Sequence, residues 1–330
     1  MTTQGTALER QIRSQPEELR RILTSGEVQT QVHATAQGLH RAHRIWLVGT
    51  GTSHHAAELG AAMLQEAGRA AQAVPSMQFV NWAPIVGPQD GVIVITHTAE
   101  SAFALAARAA VFGAGLGVIM ITRRGAGFPD AIETVDRETA ETYTVSYTAT
   151  LTVLAMLAQQ LGAQSFSPDT LTDLPEAVAS AIDGPGTDAV PTDARVVIYT
   201  GAGPASVTAR EGALKAREGA RVLAEGYDAE YLLHGNAVPL QAGDHLITLT
   251  PPDAEGFLTA MGDAARAQGL SVTDLHEPWP LPPMLAQIPL TVRLQMLALR
   301  LAQARGQDPD KVIVGPWAAD GLWAHGRPPT

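Results

Sequence analysis

The feature that most constrains the fold is a strand, glycine turn and helix pattern that occurs once in each half of the chain. The first copy is Arg44-Ile-Trp-Leu-Val48 running into Gly49-Thr-Gly-Thr-Ser53; the second is Arg195-Val-Val-Ile-Tyr-Thr200 running into Gly201-Ala-Gly-Pro-Ala-Ser206. An apolar run this short, with no polar alternation, reads as a strand covered on both faces. The glycines let it turn at once into a helix, and helices that follow parallel strands supply the cover. Two copies so far apart mark a duplication at the scale of a domain.

Further segments extend the pattern. Residues 91–96 and 116–122 read as strands, as do 244–250 in the second half, whereas 54–68, 100–112 and 147–161 read as helices. Before the first strand, 7–25 and 28–42 read as helices, and the Gln15-Pro16 step allows a break in the first. Residues 165–192 are rich in Pro, Asp, Ser and Thr, with a helix around 174–182 and a connection after it. The expected fold class is α/β, each half a parallel sheet flanked by helices in a flavodoxin-like three-layer arrangement. The expected division is amino-terminal helices 1–30, a first domain 31–175, a linker 176–192 and a second domain 193–330.

The composition excludes several functions. With 33 acidic against 22 basic residues, the net charge of −11 disfavours nucleic acid and anionic membrane as partners. It leaves a small phosphorylated ligand open, because amides and hydroxyls at helix starts hold phosphate without a cation. With 0 cysteines, thiolate nucleophiles, disulfides and cysteine zinc sites are excluded. The 10 histidines show no metal-ligand spacing, so neither metal nor cofactor is expected. No apolar run reaches the roughly 20 residues that span a bilayer, and residues 1–5 show no secretory pattern, so a cytoplasmic protein is expected.

Two loops carry the chemistry of an anion site. Gly51, Thr52 and Ser53 close the first glycine turn, although His54 stands where a dinucleotide fingerprint needs its third glycine. Thr96, His97, Thr98 and Ser101 follow the next strand and open a helix. Glycine also serves a strand-to-helix turn for conformational reasons alone. In the second half, Glu211, Lys215 and Glu218 fall at i, i+4 and i+7 of a helix and share one face. His234 follows in Tyr227-Asp-Ala-Glu-Tyr-Leu-Leu-His-Gly235. These groups suit proton transfer on a sugar. They equally suit a structural ion pair on a helix and a capping histidine. Lys215 and Lys311 are the two lysines among 22 basic residues, and lysine, unlike arginine, can deprotonate or form an imine.

Over residues 8–312 the chain resembles proteins with two sugar isomerase (SIS) domains, above all the isomerase half of glucosamine-6-phosphate synthase and its stand-alone relatives. The likeness is most specific at Glu211-Gly-Ala-Leu-Lys-Ala-Arg-Glu218, at residues 224–235 and at Arg305-Gly-Gln-Asp-Pro-Asp310. It implies two tandem SIS domains and a hexose or hexosamine 6-phosphate as ligand. It implies that Glu218 moves a proton between C1 and C2, with Lys215 beside it. His234 matches the histidine that helps open the sugar ring, contributed across a homodimer interface. The two hydroxyl loops match the family's sugar-phosphate loops. The implied activity is aldose–ketose isomerisation or deamination; a phosphosugar sensor and a fructosamine-phosphate deglycase are the alternatives. Three departures stand out. Thr98-Ala99 replaces serine-glycine in the phosphate loop, and His97 there adds a donor that could carry charge. The family's carboxyl-terminal tail with its imine-forming lysine has no counterpart, and glutamine-dependent amidotransfer by this chain alone is not expected.

Overall fold

The computed structural model describes residues 5–82, 85–250 and 256–325. The first element, α1 (Ala7–Thr24), runs unbroken through Pro16, where the sequence allowed a break. Proline removes the N–H that would have bonded the carbonyl of Ile12. The Gln15 side chain restores the missing donor, with its Nε2 3.0 Å from the Ile12 oxygen. The start of α1 is held from far along the chain. The Asp310 carboxylate accepts from the amides of Ala7 and Leu8, both at 2.8 Å, and so satisfies two of the donors that a helix start leaves open.

Residues divide into two compact units. One comprises Glu17–Glu138 and Val145–Asp173 with the chain from Ile313 onward. Its sheet contains β1 (Ile45–Gly49), β2 (Ala71–Pro75), β3 (Gly91–Ile95), β4 (Val118–Thr122) and β5 (Ala131–Glu133), in the order β2-β1-β3-β4-β5 and all parallel. The parallel sheet was expected from the sequence, and its order is that of flavodoxin-like folds. Its helices are α2 (Gly26–Leu39), α3 (Thr52–Glu66), α4 (Ser76–Asn81), α5 (Ala102–Gly113), α6 (Val145–Gln160) and α7 (Pro168–Thr172). Trp46, Val48, Val92 and Val94 face a core shared with Phe79 of α4 and Ala104, Ala107 and Val111 of α5. On the opposite face α3 is pressed close: a Cβ at Gly60 would lie 2.7 Å from Leu154 of α6 and 2.9 Å from Leu47 of β1.

The other unit joins Leu174–Val312 to Thr139–Thr144 and the chain up to Pro16. Here α8 (Leu174–Asp183) covers the first part of segment 176–192, and the connection proper begins after it. The sheet contains β6 (Val197–Gly201), β7 (Ala224–Asp228), β8 (His245–Thr250) and β9 (Ser271–His276), in the order β7-β6-β8-β9 and again parallel. That order repeats β2-β1-β3-β4. Its helices are α9 (Pro204–Ala220), the short α10 (Ala229–Tyr231), α11 (Phe257–Ala267) and α12 (Gln287–Arg305). Val197, Tyr199, Ile247 and Leu249 share one core with α9 and α12, and Val196, Ile198 and Leu246 share another with Leu258 and Met261 of α11. Alanines 205, 209, 213, 216 and 220 of α9 belong with Leu290, Leu294, Leu297 and Leu301 of α12. Gly212 has room for nothing larger, since a Cβ there would fall 2.3 Å from Leu294.

Candidate functional site

The likeness between the two sheets extends to single backbone angles. Gly51, before α3, sits at φ +53° and ψ −130°; Gly203, before α9, sits at φ +55° and ψ −128°. Side chains are excluded from that region, so both turns require glycine. Added Cβ atoms at Gly49 and Gly201 would lie 2.4 Å from the Ser53 oxygen and 2.6 Å from Ala205. The two turns differ in what they offer a ligand. Pro204 opens α9 without an N–H, and the Ser206 hydroxyl is engaged by the Gly203 carbonyl at 2.7 Å. The first turn instead brings Thr52 and Ser53 to the start of α3, and the Ser53 hydroxyl makes no hydrogen bond among the described residues.

The second hydroxyl loop follows β3, the strand next to β1. In this strand order, β1 and β3 flank the point where successive helices switch faces, the usual place for a ligand in an open parallel sheet. Thr96 is buried, and its hydroxyl lies 3.4 Å from that of Ser101, the residue before α5. The Thr98 hydroxyl accepts from the Glu100 amide at 3.2 Å. Ala99 is left-handed at φ +60°, one of two non-glycine residues with positive φ among the described residues. The alanine that stands where the resemblance expects glycine is therefore left-handed and bears the strain of that conformation.

His97 is not a charged donor in this loop. Its Nε2 accepts from the Glu138 amide at 2.9 Å, which places the ring proton on Nδ1. Burial holds its pKa below the usual histidine range, and Arg123 and Arg137 add to the effect while Glu138 opposes it. The Glu138 carboxylate accepts from the Ser146 amide at 2.8 Å, within the first turn of α6. Glu138 thus ties the loop after β3 to the start of α6, a role with no spacing signal in the sequence.

In the other unit, α9 places the expected trio on one face. The Lys215 ammonium is 2.6 Å from Glu218 Oε2 and 3.4 Å from Glu211 Oε1. The side chains of Lys215 and Glu211 are 0% exposed, whereas that of Glu218 is 21% exposed. Two carboxylates beside a buried ammonium favour its charged form. Burial raises the Glu218 pKa above the usual carboxylate range, the charge of Lys215 opposes the rise, and Glu211 adds to it. Glu218 is therefore the solvent-reachable member of a buried acid–base cluster, with a pKa moved toward neutrality as a general base requires.

His234 stands apart from that cluster. The backbone kinks at His234 (φ −81°, ψ +48°) and Gly235 (φ +107°), which lifts the imidazole into solvent at 76% exposure. Its nearest carboxylate is Glu230, at 3.9 Å. Tyr231, Leu233 and Val238 around it are exposed as well. Asp308 and Asp310 of the carboxyl-terminal motif have structural work: Asp308 accepts from the Asp310 amide at 3.0 Å, and Asp310 caps α1. Lys311 is exposed and 3.7 Å from Glu141.

Two parallel sheets of matching strand order, each with a glycine turn opening a helix, define a doubly wound α/β protein. The SIS domain model matches residues 38–160, so this part of the chain is a SIS domain and the chain is a SIS-domain protein. It is 31% identical over 308 residues to a glutamine–fructose-6-phosphate aminotransferase of Pyrococcus horikoshii, covering 84% of this chain and 51% of that one. A Thermococcus kodakarensis protein of the same name is 30% identical over 319 residues, covering 85% and 52%. The chain spans about half the length of the curated relatives it matches. Among solved structures, a tagatose-6-phosphate ketose/aldose isomerase of Escherichia coli superposes with a TM-score of 0.80 at 21% identity, covering 95% of this chain and 98% of that one. A glucosamine-6-phosphate deaminase of Thermotoga maritima gives 0.78 at 18%, covering 93% and 97%. At these identities the superpositions establish the fold.

Proposed function

We propose that this chain is an enzyme that isomerises or deaminates a hexose or hexosamine 6-phosphate, built as two tandem SIS domains. The observation that carries this reading is the α9 cluster, in which Glu218 is partly reachable, raised in pKa and fixed by Lys215 at 2.6 Å. In isomerisation, the Glu218 carboxylate takes the C2 proton of the open-chain aldose while the carbonyl oxygen on C1 gains a proton. The resulting enediol then receives the proton at C1, and the C2 hydroxyl gives up its own to become the carbonyl. With an amine on C2 the same transfer leaves an imine, which water hydrolyses to the ketose and ammonia. Thr52, Ser53, Thr96, Thr98 and Ser101 hold the phosphate, and Gly51 shapes the first of their turns. His97 supports that loop from within rather than contacting the ligand.

Lys215, committed to two carboxylates, acts as a charged partner and not as an imine-forming amine. The buried acid–base cluster favours turnover over mere sensing, which would need no such group. His234, exposed among apolar side chains, suits a residue donated to a second copy of the chain in a homodimer. This reading places the enzyme in the cytoplasm. The test is a ligand screen by thermal shift with fructose 6-phosphate and glucosamine 6-phosphate, followed by turnover assays on wild type and Glu218→Gln. The variant is expected to keep binding and to lose about a hundredfold to ten-thousandfold in turnover. Unchanged turnover in that variant overturns the assignment.

A further inference from the structure

Arg123 lies immediately after β4, next to the hydroxyl loop that follows β3. The two strands pair in register at Ile95 and Ile121. The Arg123 amide donates to the His97 carbonyl at 3.3 Å, and the Thr122 hydroxyl donates to the same oxygen at 3.3 Å. The neighbouring cations are already neutralised: Arg124 forms a two-bond pair with Asp136, and Arg137 does so with Glu100. Arg123 has no ion pair among the described residues, and its one side-chain bond runs from Nη1 to the Arg124 carbonyl at 3.0 Å. Its Nε is buried without a hydrogen-bond partner. Its charge nevertheless reaches the loop: burial lowers the His97 pKa and the bond from Arg137 lowers that of Glu100, and Arg123 adds a smaller push in the same direction to each.

A buried guanidinium N–H without an acceptor is costly in a protein whose acids outnumber its bases. An anion arriving at the loop would offer that N–H an acceptor once the guanidinium turns to uncover it, and two parallel bonds are the geometry in which arginine binds phosphate best. We propose that Arg123 binds the substrate's phosphate from the end of β4, adding a cation to a loop otherwise made of hydroxyls and amides. This deepens the sugar-phosphate reading and rests on it. The ligand class is a phosphate monoester carrying two negative charges, and the recognition is of the phosphate rather than the sugar.

The experiment compares wild type, Arg123→Gln and Arg123→Lys for affinity toward fructose 6-phosphate and inorganic phosphate, and for kcat and KM. Arg123→Gln is expected to weaken both ligands by about 10- to 100-fold and to raise KM alike, with kcat nearly unchanged. Arg123→Lys keeps the charge without the fork and should fall between the two. Wild-type affinities in Arg123→Gln, or a loss confined to kcat, overturn the inference and leave the sugar-phosphate reading standing. If Arg123→Gln is unfolded by circular dichroism, the Lys variant decides: several-fold weaker phosphate binding supports the contact, and an unchanged affinity overturns it. A wild type that binds neither ligand overturns the sugar-phosphate reading, and the inference with it.

Discussion

Replacing Lys215 with methionine would test the α9 cluster most severely. The substitution keeps an unbranched side chain of similar length and removes the ammonium. Glu211, 0% exposed, would then lie beside Glu218 without the ammonium that sits 3.4 Å from one and 2.6 Å from the other. Removing one partner of a buried ion pair costs about 3–5 kcal/mol. Such a loss corresponds to a melting temperature lower by on the order of 10 °C in a domain of this size. The sign of the pH dependence follows from the carboxylates. Glu218 is already raised by burial, and without Lys215 it would sit further above its unfolded pKa, beside the buried Glu211. A carboxylate raised on folding loses stability as pH rises from its unfolded value through its folded one. The variant should therefore be least stable near neutrality and should recover toward wild type as pH falls into the range where Glu218 and Glu211 take up protons. Adding Glu211→Gln should restore part of the loss at neutral pH, as a double-mutant cycle would show. The assay is thermal melting from acid to neutral pH. A Lys215→Met protein that melts with wild type at neutral pH, or whose deficit grows on acidification, would refute the description of a compensated buried trio.

Other outcomes follow from single residues. Because the Glu218 pKa is raised, the acid limb of kcat/KM should lie above the ordinary carboxylate range, with activity rising as Glu218 deprotonates; a limb at an unshifted position would contradict this. Ala99→Gly should stabilise the protein by about 1 kcal/mol by removing left-handed strain at φ +60°, read by denaturant melts. Asp310→Ala should cost about 1–2 kcal/mol and speed amide exchange at Ala7 and Leu8, whose donors it strips of an acceptor.

The glycine turns made the first strand of each sheet legible, because a short apolar run ending at glycine leaves few alternatives. β3, β4 and β8 were readable as short apolar runs without a closing glycine. The edge strands were not: β2 is Ala-Gln-Ala-Val-Pro and β9 alternates buried and exposed residues, so neither resembles a doubly covered strand. The long α12 also escaped notice. Gln287, Thr291, Arg293 and Gln295 are buried along with its leucines, so no polar stripe betrays its period. Within the candidate site, the α9 spacing was visible because a helix converts i, i+4 and i+7 into one face. Arg123 and Glu138 were invisible for the opposite reason. Their roles depend on which strands and loops become neighbours, and in an arginine-rich chain one more arginine carries no signal.

The cap that Asp310 places on α1 has a consequence for biosynthesis. Every strand of the five-stranded sheet, and α6 behind it, has been made once residue 160 is complete. That sheet and its hydroxyl loops can close while the ribosome is still working. The amino-terminal half of α1, with Leu8 and Ile12 destined to be fully buried, must wait for a carboxylate made some 300 residues later. The start of α1 is thus secured long after it has been translated. A chain stopped before Asp310 would be left with an unanchored amino terminus.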